Sequence, residues 1–287
     1  MRADRLHMRL ADRARTSFAA AMSTMSGIAR WAAHSPMSDP AGHAADLAAE
    51  PADVPALARI VQGVLVHLGW LDAYGLDASR LAGISRTTLP VADRLADVLR
   101  RDPRPLHEPR VPADRSPGTC RDYALLLCAL LRAKGVPARL RCGFAAYFGP
   151  GWEDHWVCEY RDGATWRLAD AQLDPPIRAR LGAAFEPADV PRQAFLTAGE
   201  AWQACRAERA ASETFGHGDE GTGLWFVKVN VHRDHLALNG RETSAWDGWR
   251  SAPPAARRMS DDELALLDAL AADPERPLIE RSPDWQA

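Results

Sequence analysis

Three side chains in this chain could carry out nucleophilic chemistry if folding brings them together: Cys120, His155 and Asp170. A cysteine attacks an acyl carbon only as thiolate, and an ordinary thiol, with a pKa of about 8.5, is mostly protonated at neutral pH. Cys120 follows Ser116-Pro117-Gly118-Thr119, which reads as a turn, and precedes Arg121 to Lys134, which reads as a helix stopped by Gly135 and Pro137. The cysteine therefore sits at a helix start, where partial positive charge favours the thiolate. A neighbouring imidazolium favours it further. His155 can supply that charge and then return a proton to a leaving amine. Asp170 can hold the imidazole in one tautomer and support its charged form. The product of such a site is an acyl-thioester, released to an amine or to water.

The elements around these residues must hold them in place. Tyr123, Leu126, Leu127, Leu130 and Leu131 recur at helical spacing, so the nucleophile helix has an apolar face to bury. Leu140 to Phe148 reads as a strand ending at Gly149-Pro150-Gly151. His155 to Tyr160 and Thr165 to Asp170 read as two short strands joined through Arg161-Asp162-Gly163-Ala164, where Asp-Gly is a strong hairpin signal. If Asp162 and Gly163 form the turn centre, His155 and Asp170 are direct cross-strand partners with Cβ atoms roughly 5 Å apart. Elsewhere, Val54 to Trp70 reads as a helix capped by Asp53, with His67 at the rim of its apolar face. Val91 to Arg101 reads as a second helix, and Asp102 to Ser116 as irregular. Ala198 to Arg209 reads as a helix and Leu224 to Val231, which alternates, as a strand; Ser260 and Glu263 form a capping box for a last helix.

An acyl-transfer site also needs donors for the oxyanion. The backbone N–H of Cys120 is one, and Thr119, Gln172 and Trp156 are candidates for oxyanion or substrate contacts. Cys128, Cys142 and Cys158 read as small buried side chains, and Glu159 and Trp166 as packing residues. His232 and His235 with Asp234 have neither helical-pair nor zinc-knuckle spacing, so no metal site is assigned.

The segments Gly118-Thr119-Cys120-Arg121-Asp122-Tyr123-Ala124 and Leu131 to Arg139, the pair His155 and Glu159, and Trp166 followed by Asp170 together resemble the transglutaminase-like superfamily. The resemblance runs over roughly Pro112 to Asp174, and the flanks resemble bacterial transglutaminase-domain proteins of unassigned substrate. It implies an α+β, papain-like core with the nucleophile helix packed on an antiparallel sheet, extra N-terminal and C-terminal helices, and no cofactor. It also implies a choice among amide hydrolysis, deamidation, crosslinking and ligation to a small amine. The acyl donor would be a peptide, amide or thioester, and the acceptor an amine or water. Here Trp156 follows the histidine directly, where members of the family often place a tryptophan two residues on, and no tryptophan lies just upstream of Cys120. Both departures point away from protein crosslinking. Three alternatives stand beside this reading: a binding module that has lost activity, an arylamine acetyltransferase-like enzyme, and an amide-forming ligase of small-molecule biosynthesis.

Composition fits a soluble enzyme. The 287 residues are 47% hydrophobic and 25% charged, with net charge −3, which calls for neither nucleic acid nor an anionic membrane. Five dispersed cysteines suggest reduced thiols and a cytoplasmic protein. Arginines precede a short apolar run before residue 22, but Asp4, Asp12 and Ser23 interrupt the pattern, so residues 1–45 read as a partly flexible leader and linker rather than a targeting signal. Residues 46–287 then form one domain, with its catalytic core over 112–174 and a C-terminal extension over 175–287.

Overall fold

The computed structural model describes residues 27–77, 79, 83–218, 220–242, 248–251 and 257–278. Its elements, in chain order, are α1 (Ala44–Ala49), α2 (Val54–Val64), β1 (Leu65–His67), α3 (Val91–Arg101), β2 (Ser116–Gly118), α4 (Cys120–Ala133), β3 (Ala138–Ala145), β4 (Trp152–Asp162), β5 (Thr165–Ala169), α5 (Pro175–Leu181), β6 (Phe195–Thr197), α6 (Ala198–Arg206), β7 (Phe215–His217), β8 (Gly221–Thr222), α7 (Leu224–Leu238) and α8 (Asp261–Ala272), with short 3-10 turns between them.

Helix α4 is the centre of the fold. Its leucines and alanines are strong helix formers, and no β-branched residue interrupts them. It is buried continuously from Arg121 to Arg132. Leu126, Leu127, Leu130 and Leu131 share one core with Leu57, Val61 and Val64 of α2 and with Leu140, Cys142, Trp156 and Cys158 of the sheet. Truncating one of these leucines to alanine costs about 2–5 kcal/mol at such sites. Gly135, in the left-handed region at φ +70°, ends the helix and turns the chain into β3.

The sheet runs β6-β3-β4-β7-β8, with β5 also paired to β4. All its pairings are antiparallel except β4 with β7. The architecture is thus α+β, a nucleophile helix packed on a mostly antiparallel sheet with further helices on both sides in sequence. The region after residue 174 does more than add helices, because β6, β7 and β8 extend the sheet itself.

Several expectations need correction. The helix read over Val54 to Trp70 stops at Val64, and the next three residues form β1, parallel to β2. Ser116 to Gly118 is accordingly a short strand rather than a turn. His67 is not on a helix rim; it lies directly opposite Gly118 in that strand pair. Leu224 to Val231 is the first half of α7, not a strand. That helix is buried on nearly every side, including Lys228, which reaches Glu263 at 2.7 Å, so no single apolar stripe betrays its helical period. The stretch read as the end of a linker is docked from Gly27 onward: Trp31 and Ser38 are buried, and Ser38 Oγ accepts from Arg132 of α4 at 2.7 Å. The arginine-rich part of the leader lies outside the described residues.

The hairpin forms, but its turn is centred one residue later than expected. Cys158 pairs with Ala169 and Asp162 with Thr165, so His155 and Asp170 are not direct partners. The register is displaced by two residues, an even shift, and a strand displaced by two keeps its side chains on the same face.

Candidate active site

Cys120 is the first residue of α4, and the turn that presents it is tied down by a buried ion pair. The Thr119 backbone N–H and hydroxyl both donate to Asp122 Oδ2, at 2.7 and 3.0 Å. Arg94 of α3 donates to the other oxygen of Asp122 at 2.7 Å and also to Ser116 Oγ and the Pro117 carbonyl, each at 2.7 Å. One guanidinium therefore clasps both β2 and the first turn of α4. Gly118 is required here, since a Cβ at that position would lie 2.9 Å from Asp122 Cβ.

His155 comes from β4. Its backbone partner on β3 is Gly143, where a Cβ would lie 2.1 Å from the Leu196 carbonyl oxygen, so only glycine admits β6 so close to β3 on its other edge. His155 Nε2 hydrogen-bonds Asp170 Oδ2 at 2.8 Å, which leaves Nδ1 as the ring nitrogen for the thiol. Cys120 and His155 line the same cavity, and Cys120 is among the groups that favour the charged form of His155. Asp170 Oδ2 also accepts from Tyr147 Oη at 2.7 Å, and Oδ1 accepts from the Gln172 backbone N–H at 2.9 Å. Phe148 meets the imidazole edge-on, with ring centroids 4.7 Å apart.

The electrostatics follow from this arrangement. Burial of His155 opposes its charged form, but the Asp170 carboxylate, its hydrogen bond and the Cys120 contact reverse that, and the imidazole is pushed up to about 10. An imidazolium is therefore the resting form at neutral pH. His67 behaves in the opposite way. Burial first, and then the positive charge of His155, push it down to about 3. Its Nδ1 accepts from the Gly69 N–H at 3.1 Å, so the neutral ring carries its proton on Nε2.

Cys120, Thr119, His155, Trp156, Gln172 and His67 all line one cavity of about 350 Å³. Asp170 stands behind His155 and is buried. Gln172 is buried, and among the described residues its side-chain Oε1 has no hydrogen-bond partner. Thr119 lines the cavity, and its hydroxyl donates to Asp122 Oδ2, which fixes the turn before Cys120. Trp156 is held between two guanidiniums, Arg121 at 4.3 Å and Arg233 at 5.3 Å from its ring.

The other cysteines differ from Cys120. Cys128, Cys142 and Cys158 are fully buried thiols, as expected, and burial raises Cys142 and Cys158 well above the ordinary thiol range. Glu159 is structural. It accepts from Arg139, Arg141 and Arg192 at 2.8, 2.9 and 2.6 Å. Burial opposes its ionised form, yet the guanidiniums, Arg141 foremost, hold it down to about 2.

Sequence reasoning missed Tyr147, Arg94 and His67. Tyr147 lies just past β3, in the turn that had been read as strand, and carries no motif. Arg94 lies in the second helix read from the sequence, where no local signal sets it apart from the helix's other arginines. A parallel β1–β2 pair would have exposed His67, but strands of three residues leave little periodicity to read.

Residues 90–171 match the sequence profile of the Transglutaminase-like superfamily. That span holds α3, the nucleophile turn, α4, β3, β4 and β5, and it includes Arg94 as well as Cys120, His155 and Asp170. Among curated proteins, none matches the chain. A solved structure described as a putative cysteine protease from Cytophaga hutchinsonii aligns with a TM-score of 0.38 and 18% identity over 61% of this chain. The alignment spans 47% of that protein, about half its length. Among the described residues, no helix is long and apolar enough to cross a membrane.

Proposed function

We propose that this chain is a cysteine-dependent enzyme that transfers or hydrolyses an acyl group through a thioester on Cys120. The observation that carries the reading is one cavity lined by both Cys120 and His155, with His155 Nε2 hydrogen-bonded to Asp170 behind it. In the resting pair the thiol proton resides on His155. The sulfur attacks the carbonyl carbon of an amide or thioester, and the carbonyl oxygen becomes an oxyanion. The Cys120 backbone N–H at the start of α4 and the Gln172 side-chain amide, which lines the cavity, are the donors assigned to that oxygen. Collapse of the tetrahedral intermediate breaks the bond to the leaving group, which takes the proton from His155. Neutral His155 then takes a proton from water or an amine as that nucleophile attacks the thioester. The acyl product leaves, and the thiolate–imidazolium pair is restored. Asp170 holds the ring by Nε2 throughout, itself fixed by Tyr147 and the Gln172 N–H.

The test is acyl-enzyme formation. Incubation with p-nitrophenyl acetate should release a burst of nitrophenol and leave an acetyl group on Cys120, seen by peptide mass mapping. Cys120→Ala should lose the burst while its melting temperature stays near wild type. A burst of equal size in Cys120→Ala would refute the assignment.

A further inference from the structure

Among the described residues, four arginines, Arg86, Arg121, Arg233 and Arg250, line the cavity that holds Cys120, against two carboxylates, Glu153 and Asp154. Both carboxylates are already engaged. Asp154 accepts from Asn230 at 2.9 Å and from Arg233 at 3.1 Å. Glu153 meets His217 Nδ1 at 3.2 Å, and this contact first of all raises His217 toward its charged form. Arg121 and Arg233 are buried, whereas Arg86 and Arg250 are exposed and so mark the mouth. There Arg250 pairs with Glu220, a residue outside the cavity lining. Arg86 is also exposed, and among the described residues no carboxylate is hydrogen-bonded to it. Trp70, Phe148 and Trp249 supply apolar walls between these charges.

We infer that the site selects an acyl donor bearing a carboxylate, which Arg86 binds at the mouth while Arg250 exchanges Glu220 for it. This rests on the reading of Cys120 as nucleophile and adds the substrate class to it. A guanidinium fork matches a carboxylate with two parallel hydrogen bonds. One negative charge also suffices to balance Arg86, where a phosphate dianion would bring two. The positive charge of the arginines disfavours a protonated amine as acceptor, which makes water the better second substrate.

The probes are iodoacetate and iodoacetamide, nearly equal in size and different in charge. Their rates of alkylating Cys120 are measured by peptide mapping at pH 7, with free cysteine as reference. The iodoacetate-to-iodoacetamide ratio at Cys120 should exceed the ratio for free cysteine by about tenfold in low salt and shrink as salt rises, since a cleft of one charge concentrates its counter-ion. Because His155 contributes positive charge of its own, the arginines are tested separately. Arg86→Gln should lower the ratio about threefold, Arg86→Gln with Arg250→Gln should lower it further, and Arg86→Lys should retain most of it. A ratio equal to that of free cysteine, or one unmoved in the double variant, overturns the substrate class while leaving the nucleophile intact. Failure of either reagent to label Cys120 overturns the nucleophile, and the substrate class falls with it.

Discussion

Tyr147 and His155 converge on a single carboxylate oxygen: Oδ2 of Asp170 accepts from Tyr147 Oη at 2.7 Å and holds His155 Nε2 at 2.8 Å. The carboxylate is thus oriented before it orients the imidazole. Asp170→Asn should lower kcat by about 10²–10⁴-fold, as loss of the orienting group does in related triads. Tyr147→Phe removes a hydrogen bond to a charged group and should cost about 1.5–3 kcal/mol of stability. Because the phenol does not touch the reacting atoms, its effect on kcat should stay within tenfold. Steady-state kinetics and urea unfolding of the two variants separate these roles; equal kinetic losses would contradict them.

The alkaline limb of kcat/KM should reflect His155. The imidazole is held up to about 10, with Asp170 the largest favourable influence, so the charged imidazolium persists across neutral pH and is lost as pH rises through that value. In Asp170→Asn the main charge opposing desolvation is gone, and the limb should move to lower pH. A limb that stays in place in this variant would show that another group titrates.

Arg94 holds the nucleophile turn through a buried pair, its side chain 5% and that of Asp122 2% exposed. Arg94→Met leaves the Asp122 carboxylate uncompensated and should cost about 3–5 kcal/mol. The turn should also loosen, so alkylation of Cys120 by iodoacetamide should slow under conditions where the variant is still folded. Stability within about 1 kcal/mol of wild type would mean that the two Thr119 hydrogen bonds alone carry Asp122.

Much of this site was legible in the chain because local signals coincide there. The turn residues before Cys120 announce the start of α4, its leucines announce its buried face, and Gly135 with Pro137 announces its end. The hairpin was legible as a hairpin but not in register, since Asp162-Gly163 and Gly163-Ala164 differ as turn centres by one residue, which displaces every partner by two. The even displacement is why His155 and Asp170 still share a face. What was not legible depends on contacts distant in sequence. His67 meets Gly118 only when a strand of three residues pairs with another of three. Arg94 and Tyr147 act through partners 28 and 23 residues away. Helix α7 hid its period because packing surrounds it, a tertiary property that no window of the chain displays.

His67 and His155 should give the fold opposite responses to pH. The folded pKa of His155, about 10, lies above its unfolded value near 6.5, so its contribution is complete below 6.5 and lost as pH rises through 10. His67 and His232, both held to about 3, are kept neutral when folded, so the unfolded chain takes up their protons first as pH falls. Stability from these groups should therefore fall from pH 6.5 toward 3, with a slope of up to about 1.4 kcal/mol per pH unit for each proton. Melting curves between pH 4 and 6.5 should be flatter for His67→Gln than for wild type. An unchanged acid slope in that variant would remove His67 from the account.

Gln172 is the remaining assignment with a sharp kinetic signature. Its backbone N–H is committed to Asp170, while its buried side chain lines the cavity. The Nε2 end of that amide carries the two N–H donors an oxyanion requires. If its N–H₂ group meets the oxyanion, Gln172→Ala should lower kcat by about 10²–10³-fold with little change in KM, because the interaction forms only as charge develops on the carbonyl oxygen. The position of the alkaline limb should stay as in wild type, since the backbone hydrogen bond to Asp170 survives the substitution. Gln172→Glu should be at least as damaging, because it places a carboxylate where negative charge must accumulate. A rise in KM with kcat intact would instead make Gln172 a ground-state substrate contact, leaving the Cys120 N–H as the assigned oxyanion donor.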